Sequence, residues 1–514
     1  MNQDSSALAD ELADAVARDD LGRIGEIVDS NLWALVQSHW TLLVDALGRL
    51  PEDFLEARPA LALVKSFGAS VFLQGGGVNA RAMSTVDGEG VPGIPDQVLD
   101  AILLQEMLSH RLRGDFVAAK GVAARLRART ERNDAQGRRP IHDMASFYLL
   151  HVGITEALLG DLEQSLRDFA DVRSLRPKRG AELAEYDAAL KSAVVHAALG
   201  RLVDAERLLD GAGSAPEVAD PFASQLAGTI TVARALIAVD RLSPDAPELV
   251  RAALEQNDGA EMWPFALLAS TRWSIVTGDL VGAIDEADRV AAARPLSPGS
   301  FLGRVVMLAR AHAFAIMGEV GAAVQALDAV PDDSDWNMAA VVRTRLSLAL
   351  DGPAAMLTAA RRLIVKPGLG PGARAETMLL AAWAQTRLLG VPDVATAGPL
   401  GALVAREGLW RILQLAPERI VATIPGLEGA PTFERHLAHP EPVTSIRLTA
   451  NELEVLDLLA GSESLPAIAK RRFVSVNTIK TQVASIYRRL GVHGRREAVA
   501  EAMRRGLLSG RGRS

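Results

Sequence analysis

Cysteine is absent from the 514-residue sequence, which removes disulfides, thiolate metal sites and a cysteine nucleophile from consideration together. Aromatic residues are scarce at 4%, although hydrophobic residues make up 49%. The apolar content is mostly Ala, Leu and Val. Ala and Leu lose little on entering a helix, whereas aromatic residues lead in sheets, so the composition favours an all-α chain. No uninterrupted apolar run approaches the ~18 residues of a membrane helix. The acidic stretch Met1–Asp20 lacks the basic flank and apolar segment of a secretion signal. These absences lead to the expectation of a cytoplasmic protein with no membrane partner. No Gly-x-x-x-x-Gly-Lys-Ser/Thr phosphate loop occurs, and no paired-carboxylate or Ser/His/Asp arrangement stands out. Neither an enzyme nor a cofactor is expected.

Charge is distributed unevenly. Residues 444–514 carry 13 Lys and Arg against 6 Asp and Glu, a net of +7, while residues 1–443 carry a net of −15. An acidic body with a basic end fits nucleic-acid binding at that end, because phosphate attraction is driven by Lys and Arg. A small, surface-rich domain that is merely charged is the plainer alternative. The length exceeds one ordinary hydrophobic core, so at least two units are expected.

From about Gln97 to Gly390 an apolar helical run, a short turn and a second Ala-rich run recur. The turns begin at Gly114, Gly160, Gly200, Asp240, Gly278, Gly318 and Gly352, with a less regular eighth at Leu389-Gly390-Val391, and the period is close to 40 residues. Glycine ends the first helix of each pair because it tolerates the left-handed conformation there. Ala119, Ser165, Ala205, Ala283 and Ala323 each lie five positions past a turn's first residue, small enough to let paired helices approach. Such a period is the signature of stacked helical hairpins, a solenoid. An irregular all-α domain punctuated by glycine is the alternative.

Gln74–Pro95, with Gly75-Gly76-Gly77 and Asp87-Gly88-Glu89-Gly90, reads as a mobile loop. Gly426–Pro442, with Pro431, Pro440 and Pro442, reads as a linker. The organisation expected is therefore an N-terminal helical region with a Gly-rich loop (1–96), helical repeats (97–425), a Pro-rich linker (426–445) and a C-terminal domain (446–514). Gly368-Leu369-Gly370-Pro371-Gly372-Ala373 follows Leu363-Ile364-Val365 and imitates a dinucleotide-binding turn, but inside helical repeats an interhelix turn is the better reading. Glu434, His436 and His439 have metal-like spacing without a defined fourth ligand, and no metal is expected.

The C-terminal domain carries the most specific pattern. Thr449 followed by Glu452 forms a capping box ahead of a helix whose apolar stripe is Leu448, Val455, Leu456 and Leu459. A second helix runs from about Pro466 to Arg472, with proline in a first-turn position and Ala467, Ile468 and Ala469 keeping it thin. Ser475 caps a third helix that continues to Leu490 and is ended by Gly491. At about 100° per residue, Ile479, Val483, Ile486 and Leu490 share its core face. The opposite face collects Asn477, Thr481, Ala484 and Arg488, with Lys480 on its shoulder. Short polar residues and cations on an amphipathic helix suit the major groove, where base edges and phosphates line the walls. A fourth helix, about Arg495–Arg505, supplies Ala498, Val499 and Ala502.

Leu448-Thr449, Glu452, Glu454-Val455-Leu456, Ile468-Ala469, Ser475, Asn477-Thr478-Ile479-Lys480-Thr481, Ile486-Tyr487, Leu490-Gly491-Val492, Arg495, Glu497-Ala498-Val499 and Gly506-Leu507-Leu508 closely resemble the LuxR-type (GerE-like) helix-turn-helix of transcription regulators, over about an eighth of the chain. The resemblance implies a four-helix domain whose third helix enters the major groove of double-stranded DNA, and dimerisation, often through the fourth helix, on an inverted-repeat operator. Lys480 and Thr481 match the family's groove-facing pair. Ser475, Thr478 and the N–H groups of the helix start would hold phosphates, and Arg471, Arg472, Arg488 and Arg489 are further phosphate candidates. Gln482 replaces a common His, and Ala484 stands where many members carry Lys or Arg, which puts the strength of base contact in doubt. Pro466-Ala467 replaces the usual polar pair.

The repeat turns resemble the Gly-centred turn of tetratricopeptide repeats, with a longer period and few of the aromatic positions. Trp40–Leu63 loosely resembles the start of the helical-repeat region in large MalT-like LuxR regulators, whose ATPase phosphate loop is missing here. The expected architecture is thus an all-α, tetratricopeptide-like solenoid followed by a LuxR-type domain. The expected role is transcription regulation, with a small-molecule or protein effector on the repeats, a homodimer on DNA, and contact with the transcription machinery. The rival is an adaptor whose helix-turn-helix serves dimerisation; its mark would be a third helix packed against the repeats.

Overall fold

The computed structural model describes residues 2–56, 96–135, 145–174, 182–213, 222–257, 260–294, 296–330, 336–437, 448–461, 463–490 and 492–504, with isolated positions beside them (58, 61, 64, 65, 216, 507 and 508). The Gly-rich stretch at 74–95 lies outside the described residues, as do 438–447 with His439, Gly491 and Arg505. All regular structure among the described residues is α-helical. Two compact units divide the chain: Met1–Ala238 with Pro244–Ala269 and Pro295–Leu302, and Val239–Ser243 with Ser270–Arg294 and Gly303–Ser514.

In the first unit, helices Leu21–Ser38 and Trp40–Arg49 gather Ile24, Val28, Leu32, Leu35, Leu43 and Leu47 into one cluster around Trp40, with Leu50, Leu55 and Leu61 closing it. Beyond it, hairpins succeed one another: Asp96–Leu112 with Phe116–Ala135, Ala145–Leu159 with Leu162–Ser174, and Glu182–Ala198 with Leu202–Gly211. The leading helices of successive hairpins also touch, Asp96–Leu112 on Ala145–Leu159 and that helix on Glu182–Ala198. The helix pair at Gly160 crosses tightly, since a Cβ at Gly153 would lie 2.6 Å from the Phe169 ring.

The second unit repeats the scheme with Leu280–Ala293, Val320–Asp328, Met338–Leu350, Pro353–Ile364, Pro371–Leu389 and Val394–Glu407. Gly114, Gly160, Gly200, Gly278, Gly318, Gly352 and Gly390 all take positive φ, and at the Asp240 turn the left-handed residue is Leu242 (φ 55°). Ala119, Ser165, Ala205, Ala283 and Ala323 are all buried. Gly368–Pro371 is an interhelix turn between Pro353–Ile364 and Pro371–Leu389.

Two findings differ from expectation. Phe222–Arg241 is long and apolar enough to cross a membrane (mean hydropathy 1.5), because scattered polar residues interrupt its runs without lowering the average. Val232, Ala233 and Ala235–Val239 are nevertheless buried in protein, as in a core helix. The segment before the C-terminal domain is also more than a tether. Phe433 and Leu437 pack on a core of Leu242, Ile275, Val276, Ile316 and Leu415, with Phe433 edge-on to Trp273, and the Arg435 guanidinium donates to the carbonyls of Leu413 (3.1 Å) and Ala416.

Candidate nucleic-acid interface

Four short helices, Ala450–Ala460, Leu465–Arg471, Val476–Leu490 and Arg495–Arg504, close around Val455, Leu456, Leu459, Ile468, Ile479, Val483, Ile486, Leu490, Ala498 and Ala502. The first begins with a complete capping box: Thr449 N donates to Glu452 Oε2 (2.8 Å) and Glu452 N to Thr449 Oγ1 (3.3 Å). Glu452 does more than cap. Its Oε1 accepts from Ser485 Oγ (2.8 Å), and Arg489 Nη1 lies 3.3 Å from its Oε2. Burial pushes its carboxyl upward, but the hydrogen bonds from Thr449 and Ser485 and the Arg489 charge outweigh it, leaving the pKa below its ordinary value. The first helix is thereby fixed to the third.

The second helix starts one residue earlier than its proline suggested, at Leu465, with Ser464 as cap. After it the chain turns through Phe473 in a left-handed conformation (φ 55°), where the Phe473 side chain is 96% exposed. Ser475 Oγ then accepts from Thr478 N (3.1 Å) and pairs with Thr478 Oγ1 (2.8 Å), capping the third helix. Arg495 fastens the fourth helix by donating to the carbonyls of Leu459 (2.8 Å), Gly461 (2.8 Å) and Glu463 (2.6 Å).

The third helix separates its faces cleanly. Ile479, Val483, Ile486 and Leu490 are buried, while Ser475, Asn477, Thr478, Lys480, Thr481, Ala484 and Arg488 are all exposed. Thr481 Oγ1 is turned to the Asn477 carbonyl (3.0 Å). Gln482 is half-buried, and its Oε1 has no hydrogen-bond partner among the described residues. The candidate cations fall into two groups. Lys480 and Arg488 make no ion pair among the described residues. Arg471 is held by Glu463 (2.5 Å), Arg472 by Glu454 and Asn451, and Arg489 by Glu452. Sequence reading missed Lys470, exposed in the last turn of the second helix, and the apolar Phe473, Val474 and Val476 beside Ser475. Lys470 had a signal, its place beside Arg471; the exposure of Phe473 had none, since an apolar residue in a turn is as readily core.

A thin second helix leading by a tight turn into an amphipathic third helix, with its polar and cationic face open to solvent, defines a helix-turn-helix domain. The sequence model of the bacterial regulatory proteins of the luxR family (GerE) matches residues 447–502, so the C-terminal domain is a LuxR-type helix-turn-helix. The chain is 49% identical over 67 residues to the "Probable transcriptional regulatory protein NarL" of Mycobacterium tuberculosis, covering 13% of this chain and 31% of that protein. It is 39% identical over 74 residues to the "HTH-type transcriptional regulator MalT" of Yersinia pestis, covering 14% of this chain and 8% of that one. The chain thus spans under a third of the length of either relative. No solved structure matches.

Proposed function

We propose that this chain is a DNA-binding transcription regulator in the cytoplasm. Its third C-terminal helix reads the major groove as part of a dimer on an inverted repeat, and its helical repeats take up an effector or partner protein. The relatives' names support the regulatory role, and a MalT-like arrangement of repeats before the domain is consistent with the all-helical body. The observation that carries the reading is the exposed outer face of Val476–Leu490, with Lys480 and Arg488 free of ion pairs among the described residues. Lys480 and Thr481 contact base edges. Ser475, Asn477, Thr478 and the helix start hold the backbone, with Arg488 and then Arg471, Arg472 and Arg489 as phosphate partners and Ala484 facing the groove. Phe473 offers apolar contact to a sugar or thymine methyl. The adaptor reading requires that face to be covered.

Genomic footprinting with the intact chain and its Lys480→Ala variant tests the proposal. The expected result is sequence-preferring, salt-sensitive occupancy that the variant loses. Occupancy without sequence preference at low salt, or binding indifferent to Lys480, overturns it.

A further inference from the structure

Four residues other than glycine take left-handed backbone conformations among the described residues: Asp19, Leu242, Asn337 and Phe473. Aspartate and asparagine tolerate that region because a short polar side chain can hydrogen-bond locally, whereas a bulky apolar one is strained in it. Leu242 recovers the cost by burial, being 5% exposed in a core with Ile275, Val276 and Leu415. Phe473 does not. Its φ is 55° and it is 96% exposed, so a strained backbone and a wetted aromatic ring coincide at one residue.

The turn itself does not ask for a ring. Backbone hydrogen bonds close it, from Phe473 N to the Lys470 carbonyl (3.3 Å) and from Val474 N to the Ala469 carbonyl (3.0 Å). Glycine reaches the left-handed region without steric cost and holds it in the repeat turns at Gly114, Gly160, Gly200, Gly278 and Gly318. At position 473 it would close the same turn with less strain. A residue that costs the fold twice is explained by what it meets outside the chain.

The position of the ring indicates its partner. Val474 and Val476, 40% and 36% exposed, stand on either side of Ser475, the cap of the third helix. Lys470 is exposed at the end of the second helix, and Ser475 and Thr478 are exposed at the start of the third. Three exposed apolar residues among hydroxyls and a cation suit the DNA backbone, where deoxyribose faces alternate with the phosphates that such polar groups hold. Lys480 and Thr481 follow Phe473 by seven and eight positions. With those two in the groove, the ring lies at its edge, over the backbone and away from the base edges.

We propose that Phe473 packs on a deoxyribose of the bound DNA, anchoring the third helix by an apolar contact that salt does not screen. The proposal rests on the reading of the C-terminal domain as DNA-binding. Phe473→Gly and Phe473→Asn, both suited to the left-handed turn, test it in the intact chain on a site located by footprinting. Each is expected to leave the denaturant midpoint of the helical signal unchanged or raise it, because the strain is relieved. Each is expected to weaken affinity for the site about tenfold, the apolar burial being lost. The slope of log affinity against log salt and the sequence preference are expected to stay as in the wild type, since neither a phosphate nor a base contact is removed. Affinity within about twofold of wild type in both variants overturns the proposal, and so does a slope reduced by about 1. A midpoint lowered by both variants also overturns it, because the ring would then serve the fold. A wild-type chain that occupies DNA while both variants bind equally well rejects this contact alone; a wild-type chain that occupies no site rejects the regulator reading as well.

Discussion

The repeats and the C-terminal domain treat positive charge in opposite ways. In the repeats of the second unit Asp240, 2% exposed at its side chain, meets Arg272 (3.2 Å) and Arg411, both nearly as buried. Glu376 lies 3.6 Å from Arg345 and 3.7 Å from His312. Burial lowers the Arg272 pKa to about 10 against the pull of Asp240. In the C-terminal domain Lys480 and Arg488 stand in water with no ion pair among the described residues. A charge taken out of water must be matched within the chain, whereas an exposed, unmatched cation remains free to replace the counterions of a phosphate backbone.

The sharpest way to break this contrast is to remove the shared carboxylate. Asp240→Ala leaves two buried guanidinium groups facing each other, and a loss of about 3–5 kcal/mol of stability is expected. It should be read as a lowered denaturant midpoint of the helical signal. Lys480→Ala is expected to change the stability by less than about 0.5 kcal/mol, while abolishing DNA occupancy. Comparable destabilisation by both would remove the distinction.

Acid should separate the same regions. Burial lowers His151 to about 3, His196 to about 4 and His312 to about 4, from an ordinary 6.5. Below pH 6.5 the unfolded chain takes up protons that the folded repeats refuse, so their stability is full above that pH and declines as the pH falls toward 4. In the C-terminal domain the carboxyl of Glu452 is held below its ordinary 4.5, so the stability it contributes is lost only below that value. Hydrogen exchange by mass spectrometry, corrected for intrinsic rates, should show protection falling between pH 7 and 5 in peptides from the repeats but not in 476–490. A uniform response would count against the histidine argument.

A smaller effect distinguishes the cations of the interface itself. Arg488→Ala should reduce the slope of log affinity against log salt by about 1. Arg471→Ala and Arg472→Ala should change it less, because Glu463 and Glu454 already hold those side chains. Equal slopes for all three would mean that the internal ion pairs open on binding.

What could be read from the sequence was whatever repeats locally. The Thr449–Glu452 box, the stripe Ile479-Val483-Ile486-Leu490 and the glycine turns each depend on residues within a turn or two of one another. The Arg411–Asp240 pair joins positions 171 apart, and no period reports it. The same holds for Arg495 reaching three carbonyls near the end of the first helix, and for Phe433 packed at Trp273, where proline content alone indicated a tether. For the interface, the sequence named the exposed face, but which of its arginines carry a partner became visible only with Glu452, Glu454 and Glu463 in place.

Glu452 offers the finest adjustment of the comparison, because it is a buried, matched charge inside the domain that displays unmatched ones. Glu452→Ala removes the return half of the capping box together with the contacts to Ser485 and Arg489, so a loss of about 1–2 kcal/mol is expected. Glu452→Gln can still accept from the Thr449 backbone, as glutamine does in such boxes, and should lose only the charged contact with Arg489, less than about 1 kcal/mol. Both variants should abolish the domain's acid response below pH 4.5, since the group whose folded pKa is depressed is then gone. If hydrogen exchange of 476–490 in the intact glutamine variant keeps the wild-type acid response, the carboxylate of Glu452 is not its source.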